Sequence, residues 1–172
     1  MNFFKRAARY SKDFLIRLKH YWGSTRSIDM MWRFLLNETI SVLSFLFRGI
    51  DVSIKHRVYK FCNKPILFTT SWGTYLAHTA DAWTVTQPNY EEEIRSIIDA
   101  NIARFENDKN KVFIDIGSHV GRYVIELSKN YGYHSVAFEP SPETFKMLQV
   151  NTILSGVEDN VTLINRGLSD HV

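Results

Sequence analysis

The run Asp115, Ile116, Gly117, Ser118, His119, Val120, Gly121 places a carboxylate, an imidazole and two glycines within seven positions. An aspartate at the carboxyl end of an apolar strand can engage an ammonium group, directly or through water. Gly117 lets the backbone turn sharply and lets a ligand approach the main chain, while Gly121 permits close helix–strand contact. Glu139 follows 18 positions after Gly121, and in dinucleotide folds an acid at this place accepts hydrogen bonds from ribose hydroxyls. Each feature has a plain reading of its own: a glycine-containing strand-to-helix turn without a ligand, and a solvated strand-end carboxylate. Taken together they point at one crevice and at a nucleoside. The turn is not a P-loop, because no Gly-Lys-Ser/Thr follows it. Nor is it the G-x-G-x-x-G of a nicotinamide site, since Ser118 and His119 replace the second glycine. With no pyrophosphate to cradle, the relaxed glycine demand suits S-adenosylmethionine better.

Alternating elements are expected to position these residues. Val112–Ile116 reads as a buried-type strand of continuous apolar character, broken only by Asp115. The glycine turn feeds an apolar-periodic helix over Tyr123–Asn130, and Ser135–Phe138 forms the next strand, ending in Glu139 and Pro140. Ser141 is placed to cap a helix over Pro142–Leu154, with Pro142 in its first turn. Val161–Asn165 is a third strand. The order β-α-β-α-β with short loops, over 111–166, specifies a parallel sheet with right-handed crossovers.

Upstream, Lys64-Pro65 punctuates the chain. Ile66–Thr70 and Thr74–His78 are β-rich runs joined by Ser71, Trp72 and Gly73, which reads as a hairpin, and Ala82–Thr86 is expected to add a strand to this 65–86 region. Asn89 is a candidate N-cap for a helix over 90–105, whose Ile94, Ile97, Ile98, Ile102 and Phe105 share one face. Glu91, Glu92 and Glu93 suit the positive end of that helix dipole better than a metal site.

The 172 residues are the usual size of one domain, and 45% hydrophobic and 14% aromatic content is enough for a real core. The single cysteine, Cys62, cannot form an internal disulfide and fits a reducing compartment such as the cytoplasm. The six histidines are scattered and no zinc-type spacing exists, so no metal is expected. The net charge of +3 conceals an asymmetry: residues 1–64 hold 13 Lys+Arg against 4 Asp+Glu, and residues 65–172 hold 8 against 14. Two parts follow, a basic helical N-terminal region (1–64) and an acidic body (65–172) that is a poor nucleic-acid groove. Residues 3–22 carry an amphipathic pattern, with Phe4, Ala8, Leu15, Leu18 and Trp22 at helical spacing and basic residues between them. Ile28–Ile50 is apolar but is interrupted by Arg33, Asn37, Glu38 and Arg48, so it reads as a packed or interfacial helix rather than a span. Ordinary packing is the first reading of both segments, and peripheral membrane contact the second.

The motifs also look like those of a known family. Phe113–Tyr123, then Ala137–Pro142, resemble the first two motifs of the FkbM-type S-adenosylmethionine-dependent methyltransferases. Leu148, Asn151, Leu154 and Gly156, then Asn160-Val161 and Gly167-Leu168-Ser169-Asp170, match in order, and Tyr90-Glu91 resembles a Tyr-Glu pair this family often carries. The likeness covers about Ile66–Asp170. It implies a Rossmann-like class I fold and O-methylation of a hydroxyl on a small molecule or glycan, such as a sugar, glycolipid or natural product. Asp115, Gly117 and Gly121 would then line the methionine end of the cofactor, with Ser118 and His119 supplying turn backbone. Glu139 would hold the ribose, Pro140 and Ser141 would lie against the adenine side, and Gly167 would approach the adenine ring. His119 is a poor catalytic base from that place, because a base must reach the acceptor hydroxyl. The base is unassigned.

A complete domain of this class resembles a seven-stranded sheet whose fourth strand lies on the other side of the first. With three strands before Val172, the chain is expected to be an incomplete domain: a fragment, or one whose second wall comes from a partner chain. An inactive or regulatory cofactor-binding module and a membrane-associated interaction protein are the competing classes. Liposome flotation with and without residues 1–27 tests the membrane role, which predicts loss of the floated fraction on truncation; equal recovery counts against it.

Overall fold

The computed structural model describes residues 52–86 and 91–170, together with isolated helical residues between Leu18 and Thr39. Most of the amphipathic pattern at 3–22 and of the Ile28–Ile50 stretch falls outside the described residues, as does Asn89; the N-cap of the helix expected over 90–105 is Glu91 rather than Asn89, with no side-chain cap bond. The described chain forms two compact units, residues 1–66 with 78–86 and residues 67–77 with 87–172. No helix among the described residues is long and apolar enough to cross a membrane.

The first unit holds helix α1 (Val52–Cys62) and helix α2 (Thr79–Thr86). Cys62, Ala82 and Val85 are buried in it. The Thr79 hydroxyl donates to the Cys62 carbonyl at 2.8 Å, and the Thr79 N–H to the Lys64 carbonyl at 3.2 Å. Helix α2 replaces the strand expected over Ala82–Thr86. Its β-branched residues suit a strand, yet the buried positions Ala82, Val85 and Thr86 fall at i, i+3 and i+4, and Asp81 sits in the first turn beside the positive dipole end.

Strands β1 (Pro65–Thr69) and β2 (Thr74–His78) form the expected two-stranded hairpin. Its turn is closed by Thr70, whose N–H donates to the Gly73 carbonyl at 2.8 Å and whose hydroxyl accepts from the N–H of Trp72 at 3.1 Å. Phe68 and Tyr75 stack at 5.7 Å between ring centroids, both buried.

The remaining elements are helix α3 (Glu92–Arg104), strand β3 (Val112–Ile116), helix α4 (Arg122–Tyr131), strand β4 (His134–Phe138), helix α5 (Pro142–Ser155) and strand β5 (Val161–Ile164), the last preceded by a short 3-10 turn at Glu158–Asn160. The sheet order is β3-β4-β5 and both pairings are parallel, Val112 opposite His134 and Ser135 opposite Val161. This is the α/β Rossmann-like arrangement expected for 111–166. Val124, Ile125 and Leu127 of α4 and Leu148 of α5 are buried, as are Ser135 and Ala137 of β4. Ser128 and Ser135 satisfy each other there through a 2.8 Å hydroxyl contact.

Two further expectations are corrected. Strand β3 is not buried: it is the edge of the sheet, and Val112, Ile114 and Ile116 are 56, 60 and 64% exposed. A continuous apolar run marks a strand meant for two covered faces, and here one face is bare. Helix α3 buries no residue, with Ile94 and Ile97 exposed on the face expected to pack. It is tied down electrostatically instead. Both carboxylate oxygens of the buried Glu126 on α4 accept from Arg95 Nη1 at 2.6 Å, and Asp99 pairs with the same guanidinium at 2.8 Å. Removing Arg95 leaves a buried, uncompensated carboxylate. Arg95→Ala is therefore expected to cost about 3 kcal/mol of stability, while Ile97→Ala stays within about 0.5 kcal/mol; thermal or urea melts of both variants check the contrast.

Candidate functional site

The carboxyl ends of β3, β4 and β5 meet at a set of turns held by backbone hydrogen bonds. The N–H groups of Gly117 and Ser118 both donate to the Phe138 carbonyl, at 2.8 and 2.9 Å. Glu139 N–H donates to the Ile164 carbonyl at 3.1 Å, and Asn165 Nδ2 donates to the Glu139 carbonyl at 2.7 Å. The ends of three successive strands are thus locked in register. This is the edge of an open α/β sheet at which ligands bind.

Glu139 is buried, 6% exposed, and has no basic side chain hydrogen-bonded to it among the described residues. Its charge is met by backbone instead: Oε2 accepts from His119 N–H and Oε1 from Ser141 N–H, each at 2.9 Å. Each carboxylate oxygen keeps a further lone pair for an outside donor. Ser141 also caps α5, its hydroxyl accepting from Thr144 N–H at 3.3 Å, with Pro142 in the first turn as expected. Pro140 is exposed between Glu139 and Ser141.

The glycine turn carries three residues in the left-handed region: Gly117 (φ 87°), His119 (φ 51°) and Gly121 (φ 91°). A Cβ on Gly117 would meet nothing within 4 Å, so this stretch of main chain is open to an incoming group. A Cβ on Gly121 would lie 2.6 Å from Leu148 Cδ1. Gly121 thus permits a close approach, but between the start of α4 and helix α5 rather than between helix and strand. The Ser118 hydroxyl is buried and donates to the Asp115 carbonyl at 3.0 Å. Gly167 lies beside Pro140, where a Cβ would sit 3.5 Å from the proline Cβ.

Asp115 is half-buried near the end of β3. Burial pushes its carboxyl up to about 6, the negative charges of Glu91 and Glu139 push the same way, and the Ser118 hydroxyl opposes them. No Lys, Arg or His is paired with it among the described residues. Glu91, at the head of α3 with φ 57°, accepts a 3.1 Å hydrogen bond from Tyr123 Oη. All nine sequence-selected positions therefore lie on the strand-end turns or beside them. Sequence reasoning overlooked Tyr123 and Asn165. Asn165 had a usable signal, a side-chain amide at the end of an apolar strand; Tyr123 closes the first motif, but nothing in the sequence singled out its hydroxyl.

No protein-family model matches the chain, and no curated protein matches it. Solved structures do. A candidate transferase from Pyrococcus horikoshii aligns at a TM-score of 0.47 and 18% identity, over 66% of this chain and 47% of that one. The TYW2 protein of Pyrococcus horikoshii, in complex with MeSAdo, aligns at 0.46 and 19%, over 61% and 37%. A SAM-dependent methyltransferase from Agrobacterium tumefaciens aligns at 0.43 and 12%, over 59% and 32%. The chain spans less than half the length of each.

Asp115 has its carboxyl raised in the folded state, so its stabilising contribution is complete below the ordinary aspartate range and is lost as pH rises through about 6. At neutral pH the ionised form costs stability. Asp115→Asn is expected to raise the melting temperature near pH 7, by an amount corresponding to roughly 1 kcal/mol, with the advantage shrinking toward pH 4. Melting curves of both chains across this range measure it.

Proposed function

We propose that the strand-end turns bind S-adenosylmethionine and that the chain is the cofactor-binding part of a methyltransferase. The observation that carries this reading is the half-buried Asp115 carboxylate, held without a basic partner among the described residues, beside the open backbone of Gly117. A desolvated carboxylate with two like charges near it favours a cationic ligand, and the amino-acid end of S-adenosylmethionine supplies an ammonium. Glu139 supports the nucleoside end: its remaining lone pairs are set one strand further on, where ribose hydroxyls can donate to them. Ser118 and His119 contribute turn backbone, Gly121 the close packing beneath it, and Pro140, Ser141 and Gly167 the adenine side.

When bound, the cofactor would supply an electrophilic sulfonium methyl for displacement by a nucleophile. The chain's own contribution is to orient that group, since alignment of methyl and nucleophile supplies much of the rate in such a displacement. The finer reading, by resemblance to the FkbM-type enzymes, is O-methylation of a hydroxyl on a sugar, glycolipid or natural product. It carries no assigned base. Residues 1–64 form a separate basic region in this reading, outside the 65–172 domain.

Calorimetry with S-adenosylmethionine on the folded chain tests the cofactor assignment. Binding is expected, weakened tenfold or more by Asp115→Ala. Glu139→Gln is expected to do the same, because an amide leaves an NH2 facing one of the two backbone N–H donors. Absence of binding by a well-folded chain, or affinities unchanged in both variants, rejects it.

A further inference from the structure

Helix α5 buries Leu148, Asn151, Thr152 and Ser155, a face in which three of four side chains are polar. Polar groups persist in such places where each finds a partner. Ser155 Oγ accepts from the Thr74 N–H at 3.0 Å and donates to the Thr74 carbonyl at 2.9 Å. Asn151 Oδ1 accepts from the Leu76 N–H at 2.6 Å. Four helical residues rise about 6 Å and two strand residues about 6.7 Å, so the 151/155 pair matches the 74/76 pair of β2. The helix thereby takes up the Thr74 N–H, the Thr74 carbonyl and the Leu76 N–H, as a neighbouring strand would along that edge of β2.

Asn151 does one thing more. Its Nδ2 donates to the Val120 carbonyl at 2.9 Å, in a buried contact inside the glycine turn. The amide can sit only one way round, because Leu76 N–H can only donate and the Val120 carbonyl can only accept. Val120 stands between His119, whose N–H is held by Glu139, and Gly121, which starts α4. The hairpin also reaches the first residue of α4, just past that turn, where the Arg122 guanidinium lies over the Trp72 ring at 5.1 Å. One fully buried side chain therefore carries the hydrogen-bonded connection between β2 and the turn.

We propose that Asn151 is a positioning residue that ties the β1–β2 hairpin to the glycine turn and keeps residues 117–121 in the shape that receives the cofactor. The cofactor half of this statement rests on the function proposed above; the coupling half does not. Ser155 provides the comparison, since it anchors the same hairpin from the same helix without touching the turn.

Three variants separate positioning from simple support: Asn151→Asp, Asn151→Ser and Ser155→Ala. Aspartate keeps an acceptor for Leu76 N–H but turns an oxygen toward the Val120 carbonyl; serine, shorter but uncharged, serves should the buried carboxylate of Asn151→Asp prevent folding. Amide hydrogen exchange without ligand, and calorimetry with S-adenosylmethionine, are the readouts. Asn151→Asp is expected to speed exchange at His119 N–H at least tenfold, leave Leu76 N–H protected and weaken binding about tenfold. Asn151→Ser is expected to release both amides. Ser155→Ala should expose Thr74 N–H while turn exchange and affinity stay within twofold of the parent chain. Turn exchange in the Asn151 variants no faster than in Ser155→Ala overturns the coupling. Faster turn exchange with unchanged affinity overturns the positioning role. If the parent chain itself fails to bind, the methyl-donor reading falls and the exchange data still decide the coupling.

Discussion

A single buried anion organises the ligand edge of this protein. The Glu139 carboxylate is out of water, and among the described residues it is met by two backbone N–H groups rather than by a cation. Hydrogen bonds to a charged group are worth about 1.5–3 kcal/mol each, and leaving such a group unsatisfied costs more. His119 N–H and Ser141 N–H belong to different strand-to-helix turns, so satisfying one carboxylate binds the two turns together. The left-handed conformation of His119, uncommon for a residue with a Cβ, fits a backbone shaped by that demand.

Part of the supporting layer is polar where a core would ordinarily be apolar. Asn151 and Ser155 bond Leu76 and Thr74 of β2, and Arg95 with Glu126 holds a helix that has no buried residue. These contacts are directional, so they set distances and orientations in a way that greasy packing does not. Asp115 shows the opposite balance. Its carboxyl is raised by burial and by its acidic neighbours, and the chain carries that instability at the point where a cationic group is expected. Strain kept at a binding site and relieved by the ligand is a common trade between stability and function.

Much of the architecture was readable from residue order. The β-α-β-α-β alternation, the Ser141-Pro142 helix start and the hairpin around Gly73 are local signals, and all three occur where expected. Other elements were not readable. Ala82–Thr86 carries strand-forming residue types but packs at helical spacing, and eight residues are too few for periodicity to outweigh type. Helix α3 has a clean apolar stripe of which no residue is fully buried, Ile98 and Ile102 being half-covered. The buried stripe of α5 was hidden for the reverse reason: its residues are mostly polar, and only their hydrogen bonds show that they face inward.

From the sequence alone came the parallel α/β unit, the glycine turn and the acid one strand later, because each depends on residue type at short range. Glycine at φ near 90° and a capping serine act on their immediate neighbours. Only the tertiary structure decided that Glu139 fastens two turns, that Gly121 lets two helices approach rather than a helix and a strand, and that Asn151 joins the hairpin to the glycine turn. Apart from the local Glu139–Ser141 bond, those hydrogen bonds link positions 20 to 75 residues apart, and a hydrogen bond at 2.6–2.9 Å over such a distance depends on how whole elements pack rather than on spacing along the chain.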